Sequence, residues 1–194
     1  MFRFLKIALC LLSVLTGGYA QADQQWQVLP EKSRVGFIVH STLHEVNGKA
    51  RKLSGGFEQK GNLAKGAIDV DVAGLTTANK ARDKNMYRMF DVSRYAKVHF
   101  NFDNTDITNV LDRHEGEIRF SGVMTIHNIS HPMTILSKEH REGSAFVCEG
   151  RLLIHLKDYA LKPPSILGLI RVRDEVQVEY SIVFVNKANA NDNS

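Results

Sequence analysis

The stretch that most restricts the fold is "EVQVEYSIVFV", Glu175 to Val185, where Val176, Val178, Tyr180, Ile182 and Phe184 recur at every second position. A period of two puts those side chains on one face of a half-buried strand. The same rhythm places Val35, Phe37 and Val39 together in "SRVGFIVH", and Ile68, Val70 and Val72 against Asp69 and Asp71 in "GAIDVDVAGL". It also groups Val98, Phe100 and Phe102 in "KVHFNFDN", and Ile118, Phe120, Met124 and Ile126 in "GEIRFSGVMTI". With "GGFEQKGN", "HPMTILS", "SAFVCEG" and "RLLIHLK", this reads as roughly eight or nine strands separated by Asn and Gly turn signals. Short connections between alternating strands favour antiparallel neighbours. Such a sheet must close on itself or fold as two packed faces. Closed as eight strands, it leaves an interior that side chains fill or that holds one small ligand.

One segment breaks the rhythm. In "TTANKARDKNMYRMFDVSRY", Asn79 can cap a helix, because its side chain can accept from the first free N–H groups. Met86, Met89 and Phe90 then fall at i, i+3 and i+4, one helical face, and Arg82, Asp83, Lys84 and Arg88 are assigned to the others. The spacing predicts a short amphipathic helix from Asn79 to Asp91 whose apolar stripe must meet an apolar surface. Two roles fit: a plug over a barrel mouth, with methionines as adaptable contacts, or a helix that fills core space. The Arg82–Asp83 pair likewise fits either a polar rim that orients a headgroup or a structural ion pair or cap.

The first residues are read apart from the fold. Arg3 and Lys6 precede the apolar run Ile7 to Thr16, and "AQA" places small residues at Ala20 and Ala22. This is the pattern of a secretory signal, residues 1–22, with cleavage near Ala20 or Ala22; the apolar run is short for a membrane span. The expected domain is then 23–186, and the polar residues 187–194 are expected to be a flexible tail. Cys148 is the one cysteine after the signal, so no internal disulfide is expected, and its apolar setting suits a small buried hydrophobe. Basic residues are scattered among acids, which argues against a nucleic-acid partner.

No phosphate loop, nucleophile elbow or zinc signature is present in the sequence. His40 and His44 lie four apart, as do His127 and His131. On a helix that spacing could ligate zinc, but in strands it separates the two rings by about 13 Å. No metal site and no catalytic residue are expected.

Four segments in order resemble the YceI-like family over most of the chain. "SRVGFIVHSTLHEVNGKARKLSGGF" is similar to the family's opening strand pair. Thr77, Arg82-Asp83, Met86, Phe90-Asp91 and Tyr95, followed by Phe100, resemble its most telling segment. "GEIRFSGVMTIHNISHPMTI" looks like its hairpin, with Asn128, His131 and, earlier, Ala96 as departures, and Asp158-Tyr159 and Pro164-Ser165 before a Val-rich strand resemble its ending. The resemblance implies an exported, lipocalin-like, eight-stranded antiparallel β-barrel with one short helix near its mouth. It implies a periplasmic binding protein for a long apolar molecule, such as an isoprenoid lipid or quinone, and no other cofactor. The inward residues would bind by burial: Phe37, Val39, Val70, Phe100, Phe102, Phe120, Ile182 and Phe184. Met86, Met89 and Phe90 would seal the tunnel, and Arg82 and Asp83 would stand at its rim. "LKPPSILGLI", Leu161 to Ile170, would fold against the mouth or cover a sheet edge. A transient membrane contact and a homodimer are compatible with this role. The alternatives are a stress-response or interaction adaptor with a filled barrel, and a lipocalin-shaped enzyme acting on a small apolar substrate.

Overall fold

The computed structural model describes residues 23–42, 44–108, 115–163, 165–166 and 170–190; the expected signal segment lies outside them. The strands are β1 (Gln24–Val28), β2 (Arg34–Ser41), β3 (Glu45–Ala50), β4 (Leu53–Lys60), β5 (Leu63–Asp71) and β6 (Leu75–Thr76). After helix α1 (Lys80–Met89) come β7 (Lys97–Asp106), β8 (Glu115–Ile126), β9 (Ile129–Glu142), β10 (Ala145–His155), β11 (Ser165–Ile166) and β12 (Ile170–Asn186). A helical turn, α2 (Lys187–Ala190), follows β12; residues 191–194 of the expected tail lie outside the described residues.

Eight strands close an antiparallel ring in the order β1, β4, β5, β7, β8, β9, β10, β12, with β12 returning to β1. The long β12 makes the closure. Its end pairs Phe184 with Val28 of β1, and its middle pairs Tyr180 with Val35 of β2. The chain steps from β1 to β2 through a corner held by Ser33, whose Oγ donates to the Leu29 carbonyl (2.8 Å) and accepts from the Val183 N–H (3.0 Å). Beyond that corner β3 carries β6 as an extra strand pair, so the barrel is deeper on that side.

Tight turns fix the register. The β8–β9 hairpin pairs Ile126 with Ile129 across His127 and Asn128, both at positive φ (52° and 61°). Two successive left-handed residues make the turn whose twist suits a hairpin, and Asn tolerates that region better than most residues. The departure at Asn128 therefore leaves the hairpin intact. "SAFVCEG" and "RLLIHLK" form one continuous strand, β10, and β5 ends at Asp71, leaving Val72 in a 3₁₀ turn.

One end of the barrel is plugged by aromatics. Trp26 stacks on Phe57 at 5.7 Å between centroids, and Phe57 meets Phe184 edge-on at 5.1 Å and Phe146 at 5.8 Å. The Trp26 indole N–H donates to the Gln59 side-chain oxygen (3.1 Å), so the plug's polar atom is satisfied.

Candidate ligand cavity

Above the plug the barrel is hollow, with a cavity of about 510 Å³, within the range of small-molecule sites. Its walls are the alternating faces read from the sequence. Phe37 and Val39 line it from β2, Val70 from β5, Phe100 and Phe102 from β7, Phe120 from β8, and Ile182 and Phe184 from β12. Closure leaves these faces nowhere to pack but inward, and the shared interior fixes which parity faces the core.

The mouth is built by α1. Asn79 Oδ1 accepts from the Arg82 N–H (3.1 Å), the expected cap. Met86, Met89 and Phe90 line the cavity, and so do Arg82 and Asn85. Arg82 was assigned to another helical face; the structure corrects this. It stands one turn before Met86, so both point over the opening. Asp83 does not line the cavity. Its carboxylate accepts from Thr76 Oγ1 (2.7 Å), the Thr77 N–H (2.8 Å) and Thr77 Oγ1 (2.6 Å), tying α1 to the strand before it. Burial opposes its charge, but the Thr77 and Thr76 hydrogen bonds and the nearby Arg51 outweigh that and hold its carboxyl below the ordinary range. Tyr87 adds a second tether, donating from Oη to the Leu75 carbonyl (2.5 Å).

Hydrogen bonds to an ionised group contribute about 1.5–3 kcal/mol each. Asp83→Ala is therefore expected to loosen α1 selectively. Hydrogen exchange should show its amides losing at least about tenfold in protection while β8 and β9 keep theirs; unchanged α1 protection would refute the anchor.

The inner end of the cavity is polar. Ser137 of β9, Cys148 of β10 and Tyr180 of β12 all line it. The Ser137 and Tyr180 hydroxyls share a short hydrogen bond. Tyr180 can lie there because its cross-strand partner is Gly150, where a Cβ would come within 2.4 Å of the phenol oxygen. Just beside them, Glu139 is 2% exposed. Neither of its carboxyl oxygens has a hydrogen-bond partner in good geometry, although Ser137 and Cys148 lie alongside. Burial dominates and pushes the Glu139 carboxyl up to about 8, against a smaller downward pull from Cys148 and Ser137. Burial also raises the Cys148 thiol, with Glu139 adding to it, and lifts the Tyr180 phenol to about 12. At neutral pH this cluster is polar without being charged, and Cys148 is a poor nucleophile.

The histidine pairs take separate partners. His40 faces Glu45, His127 packs edge-on against Tyr95, and the His131 ring meets the Asp158 carbonyl. His99 and Lys97 both engage Asp69 on a neighbouring strand, and His155 faces Asp174. Among the described residues no three potential metal ligands converge. From the segment Leu161 to Ile170, Leu161 is buried and Pro163 reaches the cavity. β11 pairs with the start of β12, and residues 164 and 167–169 of that segment fall outside the described residues.

Sequence reasoning missed the polar inner end. Its signal was present: continuing the alternation of Met133 and Ile135 along β9 puts Ser137 and Glu139 on the same inward face.

A family model described as the YceI-like domain matches residues 26–184. Solved structures with the same fold include BcnA of Burkholderia cenocepacia, at 18% identity and a TM-score of 0.68, over 80% of this chain and 98% of that one. A polyisoprenoid-binding domain of Saccharophagus degradans, implicated in plant cell wall breakdown, aligns at 16% identity and 0.71, over 83% and 98%. The YCEI protein of Campylobacter jejuni aligns at 14% identity and 0.58, over 76% and 88%. No curated protein matches the chain.

Proposed function

The chain belongs to the YceI-like family, and from that membership we propose that it is an exported carrier that holds an isoprenoid lipid or quinone in its barrel by hydrophobic burial. The observation that carries this reading is the oily cavity of about 510 Å³ beneath a methionine-bearing helix. Each methylene moved from water to such a wall contributes about 0.8 kcal/mol. Some ten of them yield roughly 8 kcal/mol, from which lost ligand freedom subtracts several. What remains is enough to hold the ligand without a strong polar contact. The similarity to a polyisoprenoid-binding domain supports the same ligand class. The hollow interior disfavours an adaptor with a filled barrel, and the raised Cys148 thiol disfavours catalysis by that group. Arg82, half-buried at the mouth, would meet the membrane surface during transfer.

Organic extraction of the purified protein followed by mass spectrometry tests the proposal. A prenyl lipid at near one per chain is the expected result; ligand-free protein refolded with such lipids and still empty would overturn it. Met86→Asp, which puts a carboxylate into the apolar mouth, should lower retained lipid by about tenfold, whereas Lys84→Asp, on an exposed face, should change it little. Equal retention by the two variants would show that α1 does not seal the cavity.

A further inference from the structure

Resting on the carrier reading, we propose that the inner end of the cavity is a hydrogen-bonding site for an uncharged hydroxyl or carbonyl group of the ligand, which therefore enters polar end first. Tails that end in methyl groups would be served best by an inner end as apolar as the walls. Instead Ser137 Oγ and Tyr180 Oη stand there, joined to each other, two inward positions along β12 from Phe184 with Ile182 between. Two hydroxyls carry two protons and four lone pairs, so one mutual bond leaves a donor and several acceptors unused. Beside Ser137 and Cys148, and not itself on the cavity wall, Glu139 is 2% exposed with both carboxyl oxygens unpartnered. Buried polar groups of this kind are costly unless they are bonded; a ligand hydroxyl can both donate and accept there, and a ring carbonyl can accept from the free hydroxyl proton.

The surroundings select a neutral group. Across from Glu139, β8 contributes Gly116 and β10 contributes Cys148. Arg141, two residues along β9, is turned over the Trp26 ring at 5.6 Å and does not line the cavity. Glu149 on β10 adds negative potential only. An anionic phosphate or carboxylate would meet no cation there, whereas at the mouth it would meet Arg82. Ligands with an alcohol, phenol or quinone end fit the inner site; phosphorylated ones do not.

The test compares a C15 prenyl alcohol with the C15 prenyl hydrocarbon lacking its hydroxyl, each displacing a fluorescent fatty probe from lipid-stripped protein. The readout is the ratio of the two affinities in wild type, in Ser137→Ala/Tyr180→Phe and in Arg82→Ala. Wild type should prefer the alcohol by about three- to tenfold, the scale of a net buried hydrogen bond. The ratio should fall to about one in the double variant and persist in Arg82→Ala. Because ratios are compared within each variant, a general loss of packing cancels. A preference that survives in the double variant and vanishes in Arg82→Ala would put the polar end at the mouth and overturn the inference, leaving the carrier reading in place. Failure of both prenyl compounds to displace the probe from wild type would overturn both readings.

Discussion

Replacing Glu139 with glutamine should stabilise the fold strongly at pH 8 and change it little at pH 4. In the unfolded chain this carboxyl titrates near its ordinary value of 4.5; in the barrel, burial pushes it up to about 8. Between those values the folded state keeps a proton that the unfolded state gives up, so the contribution to stability is fully present below the lower value and falls as pH rises through the window. Each unit of separation is worth about 1.4 kcal/mol, which puts the wild-type deficit at pH 8 at up to about 4 kcal/mol. Glutamine keeps the shape and cannot ionise. Urea unfolding of both proteins from pH 4 to 9 should show wild-type stability falling across that range and the variant's curve lying flatter and higher at the alkaline end. Parallel curves would mean that Glu139 reaches solvent or a cation in the native state.

Phe146→Ala should produce the largest loss. Phe146 is 2% exposed and contacts Trp26, Phe57 and Phe184, so truncation removes a shared partner from three rings. Large-to-small aromatic substitutions in such settings cost about 3–5 kcal/mol. In a domain of this size that corresponds to a drop in Tm of about 6–20 °C. Trp26, the chain's one tryptophan, sits in the same cluster, so its emission should shift to the red as the plug loosens. A fall of less than about 1 kcal/mol would mean that the plug does not seal the barrel's end.

The walls of the cavity were legible because alternation and closure are both local in origin. Each strand carries its own period, and a ring has only one inside. That is why Phe37 on β2 and Ile182 on β12 end in the same space though nothing in either segment refers to the other. The plug was harder to see. β1 has five residues, too few for alternation to register, and Trp26 gains its meaning only when β4, β10 and β12 bring up Phe57, Phe146 and Phe184. Apolarity alone assigns Arg82 to another helical face, whereas the edge of a cavity also admits polar residues. Ser137 and Glu139 continue an inward face by position, but a contrast of apolar against polar hides them where odd against even reveals them. Only tertiary geometry separates the two roles open to Asp83: its partners Thr76 and Thr77 precede the helix by a turn whose path the sequence does not specify.

The pairing of Val28 with Phe184 joins two points near opposite ends of the chain. Until β12 arrives, β1 and β10 each present a bare edge of unpaired amides and carbonyls, which is a template for association with other chains. Such long-range closure is intrinsically slow. A chain emerging from its N-terminus therefore passes through an open, oily trough before it becomes a vessel, and during that interval its greasy interior is accessible from the side as well as from the top.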